Sequence, residues 1–385
     1  MSALPVPDEA AQAQSQRLSA LLHQQIAAGG GWLSFAEFMH HALYAPGLGY
    51  YTAGSHKLGE GGDFVTAPEL TPLFARTLAR QLAQLLPLTG GTVYEFGAGS
   101  GILAADLLDA LRQLDVLPVR YRIMELSPDL RARQQALLAA RHPDLLERID
   151  WLEQWPEQFD GVVLGNEVLD AMPCELVTRT AEGELMQTGV GCAGPDWQWQ
   201  QRPVTEPVLA QAAAGRLPAR GPYTSEIGLA AEAFVATLSR HLQRGAVILL
   251  DYGFPAHEFY HPQRAQGTLM CHYQHLAHTD PFQWPGLTDI TCHVDFSAIA
   301  EAGLNAGLEL AGYTTQANFL LNCGLTDCLA ELDPDDVRTY LPQAHAVQKL
   351  VSPAEMGELF KVIGFAKGID AGWTGFARGD RSGTL

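Results

Sequence analysis

Val93-Tyr94-Glu95-Phe96-Gly97-Ala98-Gly99-Ser100-Gly101-Ile102-Leu103 reads as a strand, a glycine turn and the opening of a helix. Glycine lets the backbone turn sharply and approach a ligand closely, and a helix N-terminus offers free N–H groups to a carboxylate or phosphate. A dinucleotide fingerprint needs glycine at its first, third and sixth positions. Gly97 and Gly99 meet the first two conditions, and Ile102 breaks the third. Gly-x-Gly-x-Gly behind an acid points instead to S-adenosylmethionine, whose amino-acid end needs a close backbone and a carboxylate for its ammonium. Glu95, Gly97, Ala98, Gly99 and Gly101 are the candidate contacts. A turn whose glycines serve packing alone is the plainer alternative.

The next strand ends Tyr121-Arg122-Ile123-Met124-Glu125-Leu126-Ser127-Pro128. An acid at the carboxyl end of that strand can accept from both ribose hydroxyls, which nominates Glu125, with Leu126 beside it. Ser127 reads as a helix N-cap with Pro128 at the first helical position. The third strand offers Ile149-Asp150-Trp151-Leu152, where Asp150 could accept from the adenine amino group and Trp151 could cover the base. The fourth runs from Phe159 to Leu164 into Gly165-Asn166-Glu167-Val168-Leu169-Asp170-Ala171-Met172-Pro173. Ligands of open α/β sheets lie beyond the carboxyl ends of strands, so Asn166 and Glu167 fall where a methyl donor and its acceptor would meet. If that acceptor is a guanidinium, its pKa above 12 makes carboxylate positioning the obvious device. Glu167 is the first choice as catalytic residue, with Asn166 and Asp170 in support.

Working outward, the rhythm from residue 92 alternates strands (92–97, 119–125, 147–152, 159–165, 245–251) with helices (101–114, 128–140, 225–242), which predicts an α/β fold with a Rossmann-like doubly wound parallel sheet. Residues 1–90 read as an N-terminal helical cap: helices at 17–28 and 34–44, the latter with a Ser34/Glu37 capping box, a glycine-rich loop at 59–63, and an apolar helical face over 66–86. Period-two pairs Leu176/Thr178 and Trp197/Trp199 suggest an antiparallel meander inserted after residue 174. The expected units are thus 1–90 (cap), 91–173 with 245–368 (core), 174–244 (insertion shaping the substrate entry) and 369–385 (loose tail). Segments 308–314 and 360–367 could add edge strands.

Composition narrows the partners. With 24 Lys+Arg against 43 Asp+Glu the 385-residue chain carries a formal charge of −19, and no basic run is present to grip nucleic acid. A negative field favours cationic ligands or basic segments of a protein. No apolar run approaches the roughly 20 residues of a membrane span. The N-terminus reads as neither a secretory signal nor an Arg-rich transit peptide, so a cytoplasmic location is expected. The six scattered cysteines fit reduced thiols better than a disulfide framework. His272-Tyr273-Gln274-His275 and His293-Val294-Asp295 lack the His-x-x-x-His spacing of a zinc enzyme, so no metal is expected. Ala98-Gly99-Ser100-Gly101 is not a Ser nucleophile elbow, which sets hydrolase chemistry aside.

Gly61-Gly62-Asp63-Phe64-Val65-Thr66-Ala67-Pro68-Glu69-Leu70, Glu95 to Gly101, Asn166 to Pro173, Asp251-Tyr252-Gly253, Gly267-Thr268-Leu269, Asp289-Ile290-Thr291-Cys292-His293-Val294-Asp295-Phe296 and Met356-Gly357-Glu358-Leu359-Phe360-Lys361-Val362 stand out together. In this combination they resemble the MidA methyltransferases. The match runs over roughly 30–368, nearly the whole chain. The resemblance implies a class I S-adenosylmethionine-dependent methyltransferase with extra helices over the site, of bacterial type. It places Gly97, Gly99 and Gly101 at the methyl donor and Glu125 at its ribose, and gives Asp63 and Glu69 a part in closing the pocket. Asp251, Tyr252, His293 and Asp295 join them as candidate substrate-binding residues. The mitochondrial members symmetrically dimethylate an arginine of a respiratory complex I subunit and assist assembly of that complex, so the implied partner is a protein with an exposed arginine. A small-molecule methyltransferase and a non-catalytic, donor-binding assembly factor are the rival readings; a homodimer is one arrangement left open.

Overall fold

A computed structural model of the chain describes residues 4–53, 66–194 and 196–385. The glycine-rich loop at 59–63 lies outside them, with Asp63, Phe64 and Val65. Two helices open the described chain, α1 (Glu9–Ala28) and α2 (Phe35–Tyr44), with a two-residue strand β1 (Leu33–Ser34) between them. Ser34 and Glu37 exchange the two hydrogen bonds of a capping box, which fixes where α2 begins. The apolar face expected as one helix over 66–86 is two helices, α3 (Ala67–Leu70) and α4 (Pro72–Leu85). Pro72 drives the residue before it out of the helical region, and Thr71 is extended at φ −165, ψ 137 while its hydroxyl caps the Leu73 N–H.

The alternation then follows as read: β2 (Thr92–Phe96), α5 (Ile102–Gln113), β3 (Arg120–Met124), α6 (Pro128–Arg141), β4 (Ile149–Leu152) and β5 (Phe159–Asn166). An antiparallel sheet interrupts it, with β6 (Glu175–Arg179), β7 (Leu185–Ala193), β8 (Asp196–Pro203), the helix α7 (Pro207–Arg216) and β9 (Tyr223–Ile227). Helix α8 (Leu229–His241) returns the chain to the large sheet as β10 (Leu242–Phe254). A short α9 (Ala256–Phe259) precedes a three-stranded sheet that periodicity did not disclose: β11 (Met270–Tyr273), β12 (Leu276–His278) and β13 (Asp289–Thr291). The rest is β14 (Val294–Asp295), α10 (Phe296–Asn305), β15 (Glu309–Thr315), α11 (Gln316–Asn322), α12 (Leu325–Ala330), α13 (Val337–Val351), α14 (Met356–Leu359) and β16 (Phe360–Lys367).

The large sheet has the order β15-β16-β10-β5-β2-β3-β4, parallel from β10 to β4, continued by antiparallel β16 and edged by antiparallel β15, with β14 pairing the end of β10. Strand order reverses between β2 and β5, and a doubly wound sheet opens its ligand crevice at such a reversal. Val162, Val163 and Leu164 are fully buried, as a strand covered on both faces must be.

Packing redraws the expected units. Helices α1 and α2 bury Leu18, Leu22, Phe35 and Phe38 against Leu176 and Val190 of the antiparallel sheet, and β1 pairs with β7. Helix α4 belongs instead to the main core, its Leu78, Leu82 and Leu85 sharing one cluster with α5 and the sheet. Helix α8 also leaves the insertion, because its Val235 and Leu238 cover Val163 and Val247 on the opposite face. The tail is not loose. Trp373 and Phe376 are buried in the main core, and Gly312 and Gly364 leave the hollow that the Phe376 ring fills, since a Cβ on either would stand within 2.5 Å of that ring. Among the described residues no helix is long and apolar enough to cross a membrane.

Candidate active site

Gly97, Gly99 and Gly101 have φ of 62, 54 and 87, the left-handed region where a side chain is penalised. Gly101 caps α5, and a Cβ there would meet the Gln134 Cα at 3.2 Å, so this glycine lets α6 close on the turn. Gln134 is fully buried. Its Nε2 donates to the Gly99 carbonyl and to Glu125 Oε2, both at 2.9 Å, and its Oε1 accepts from the Trp151 indole at 2.9 Å. Glu125 Oε1 accepts the Ser127 N–H at 2.9 Å. One amide therefore ties the glycine turn, the acid after β3 and the strand β4 together.

Above the carboxyl ends of β2, β3 and β5 lies a cavity of about 530 Å³, within the range of small-ligand sites. Glu95, Gly97, Ala98, Gly99, Glu125, Leu126, Asn166, Glu167 and Asp170 line it, as does Glu69 of α3, whose carboxylate accepts from the Ser100 hydroxyl. The N-terminal segment supplies Tyr44 and Tyr51, stacked with centroids 5.5 Å apart. Their hydroxyls are engaged, Tyr44 donating to the Ala171 carbonyl and Tyr51 to Asp289 Oδ1, each at 3.0 Å. Phe96, Trp155 and Phe234 form an aromatic wall, Trp155 lying 4.4 Å from Phe96 centroid to centroid.

The charge on this lining is one-sided. Six carboxyl groups (Glu69, Glu95, Glu125, Glu153, Glu167, Asp170) face the cavity, and no Lys or Arg lines it among the described residues. Burial pushes Glu167 up to about 8, with Asp170 adding to the rise and the Asn166 amide opposing it. Burial likewise holds Glu95 at about 7 against the Tyr121 hydroxyl bond, and Asp170 at about 6 against the bond from Tyr252. Asn166 Oδ1 and Asp170 Oδ1 are buried acceptors with no partner among the described residues. A buried acceptor without a donor is unfavourable by about 1–3 kcal/mol, so the site fits a ligand bringing cationic N–H groups.

Other nominated residues sit elsewhere. Asp150, second residue of β4, lies opposite Arg122 and pairs with it at 3.3 Å, too early on the strand to reach the crevice. Trp151 turns its ring to the main core. The residues past the end of β4 are the ones exposed to the cavity, Glu153, Gln154 and Trp155. Asp251 and Tyr252 lie behind the loop that follows β5 and do not line the cavity. His293 and Asp295 border a separate cavity of about 20 Å³, room for one water. Burial lowers His293 to about 4, and Asp295 caps α10 through the N–H groups of Ser297 and Ala298. Gly101 contributes packing without facing the cavity.

Residues 73–314 match the S-adenosyl-L-methionine-dependent methyltransferase family Methyltransf_28. The chain belongs to that family. It is 55% identical to a COG1565 superfamily member from Burkholderia thailandensis whose crystal structure holds S-adenosyl-homocysteine, with a TM-score of 0.96 and each chain covered in full. A native structure of a COG1565 superfamily protein from the same organism gives 0.93 at the same identity and coverage. The protein arginine methyltransferase NDUFAF7, mitochondrial, of Danio rerio is 28% identical over 369 residues, 86% of this chain and 82% of that one. The protein of that name from Homo sapiens is 27% identical over 364 residues, with 86% and 79% covered. The MidA resemblance thus holds along the chain, and the fold and the methyl donor are those of a class I S-adenosylmethionine-dependent methyltransferase.

Sequence reasoning missed Gln134, Trp155, Tyr44 and Tyr51. Gln134 carried a signal: it sits four residues from both Leu130 and Leu138, a polar side chain on the buried stripe of α6.

Proposed function

We propose that the protein methylates an arginine side chain of a protein acceptor. The observation that carries this is the placement of Glu167 and Asp170 beside Tyr44 and Tyr51 in the same cavity as the glycine turn. A guanidinium is flat, delocalised and permanently charged; carboxylates hold it through charge-assisted hydrogen bonds, and aromatic rings favour its planar cation. The names of the relatives from fish and human, both protein arginine methyltransferases, support the acceptor class. Symmetric dimethylation of a respiratory complex I subunit is the narrowest form of the proposal and rests on the family resemblance.

S-adenosylmethionine, when bound, supplies a methyl group on a cationic sulfur. Gly97 and Gly99 bring the backbone close to it, and each Glu125 oxygen keeps a lone pair for a ribose hydroxyl beyond its bonds to Ser127 and Gln134. Trp155 and Phe234 would wall the base, and Glu95 and Asn166 would hold the ammonium. Glu167 aims the guanidinium nitrogen and takes the proton that the nitrogen sheds, with Asp170 sharing the charge.

The test is incubation of purified protein with a deuterated methyl donor and a bacterial lysate, reading methylarginine by mass spectrometry. Label on arginine, reduced about a hundredfold or more by Glu167→Gln with donor affinity retained, supports the proposal. Label confined to small molecules overturns it in favour of a metabolite methyltransferase. Donor binding without any transfer overturns it in favour of an assembly factor.

A further inference from the structure

The chain leaves β5 through an unusual backbone. Glu167 has a φ of +53, a conformation that side chains avoid, and this turn is what presents its carboxyl to the cavity. Something must hold it there. The Glu167 N–H donates to the Leu250 carbonyl at 2.8 Å. The next three N–H groups, of Val168, Leu169 and Asp170, all donate to a single oxygen, Asp251 Oδ2, at 3.1, 2.8 and 3.3 Å. The other oxygen, Oδ1, accepts the Tyr252 N–H at 2.9 Å, and Asp251 is fully buried. The Tyr252 hydroxyl in turn donates to Asp170 Oδ2 at 2.5 Å. Four consecutive peptide N–H groups of the loop are thus spent on the end of β10, three of them converging on one carboxylate as in an anion-holding nest.

We propose that Asp251 and Tyr252 are positioning residues for methyl transfer: Asp251 locks the strained turn that aims Glu167, and Tyr252 orients Asp170, while neither touches donor or acceptor. This rests on Glu167 acting on the acceptor, as proposed above. A carboxylate that merely stabilised the fold would lower stability and leave each surviving folded molecule as active as before. A positioning carboxylate lowers turnover per folded molecule.

Two variants separate these. Asp251→Asn keeps the size and one accepting oxygen but sets an amide N–H₂ against peptide donors. Tyr252→Phe keeps the ring and removes only the bond to Asp170. Both are measured as kcat per folded site, acceptor KM and calorimetric donor Kd, and Asp251→Asn is also crystallised without acceptor. Expected for Asp251→Asn is a kcat lower by about a hundredfold, the scale of an ångström of misalignment, with donor Kd within about threefold and Glu167 at negative φ in the crystal. Tyr252→Phe gives a smaller loss, about tenfold, confined to kcat. A wild-type kcat in Asp251→Asn, or a Glu167 that keeps its positive φ there, overturns the proposal. If the wild-type enzyme itself methylates no arginine, the acceptor reading falls, and the crystal structure still decides the clamp because it needs no acceptor.

Discussion

Glu167 combines a left-handed backbone with a carboxyl that burial holds neutral up to about pH 8. An acid whose pKa is higher folded than unfolded binds more protons in the native state, so stability falls as pH rises between the two values. For Glu167 that window runs from 4.5 to about 8, with Asp170 and Glu95 ionising inside it at about 6 and 7. The ligand-free protein should therefore lose melting temperature from these groups as pH climbs through that range. A cation entering the cavity favours the ionised forms and expels protons. The stabilisation by saturating S-adenosylmethionine should grow with pH as Glu95 ionises at about 7, turnover should grow as Glu167 ionises at about 8, and Glu167→Gln should flatten the second trend and leave the first. Melting curves and initial rates across pH 5–9 with and without donor check this. Gly99 makes a second prediction at this scale. A β-branched residue at its φ of 54 is strained by about 1–3 kcal/mol, so Gly99→Val should abolish calorimetric binding of the donor while the protein remains folded.

Elements deliver these residues with unequal legibility. That the glycine turn, Glu125 and Glu167 line one cavity could be expected because each stands just past a short strand, and strand ends in a wound sheet all face one crevice. Asp150 and Trp151 fall short of the cavity, which Glu153, Gln154 and Trp155 line instead, because apolar periodicity locates a strand better than it locates its last residue. The crevice begins after Leu152. Gln134 escaped notice as one polar residue in an apolar stripe, and α6 should depend on it. Gln134→Leu leaves the Gly99 carbonyl, Glu125 Oε2 and the Trp151 indole without their partner. At about 1–3 kcal/mol for each group that stays unsatisfied, the variant should unfold at lower denaturant and bind donor at least about tenfold more weakly. Equilibrium denaturation and calorimetry read both effects.

At the scale of the molecule, the doubly wound sheet followed from alternation, whereas the partition of its surroundings did not. Leu33 pairs with Val190, and the Tyr44 and Tyr51 hydroxyls reach Ala171 and Asp289. Such distant pairings have no local code. The same is true of Trp373 and Phe376, which look like tail residues until Gly312, Gly364 and Gly375 are seen to make room for aromatic rings beside them. A chain ended at Gly368 should lose both buried rings, each contributing about 3–5 kcal/mol, and fail to accumulate in soluble form or melt on the order of 10 °C lower.

Two cores meet across the cavity: the sheet cluster beneath the glycine turn, and the cluster that joins α1, α2 and the antiparallel sheet and carries Tyr44 and Tyr51. Proteins open in cooperative blocks that follow such packing boundaries. Amide hydrogens of Phe38, Leu43 and Val190 should accordingly exchange with deuterium as one block and sooner than those of Val93, Val163 and Val247. One wall of the cavity, the one carrying Tyr44 and Tyr51, can then breathe open as a block while the sheet that bears the glycine turn stays folded.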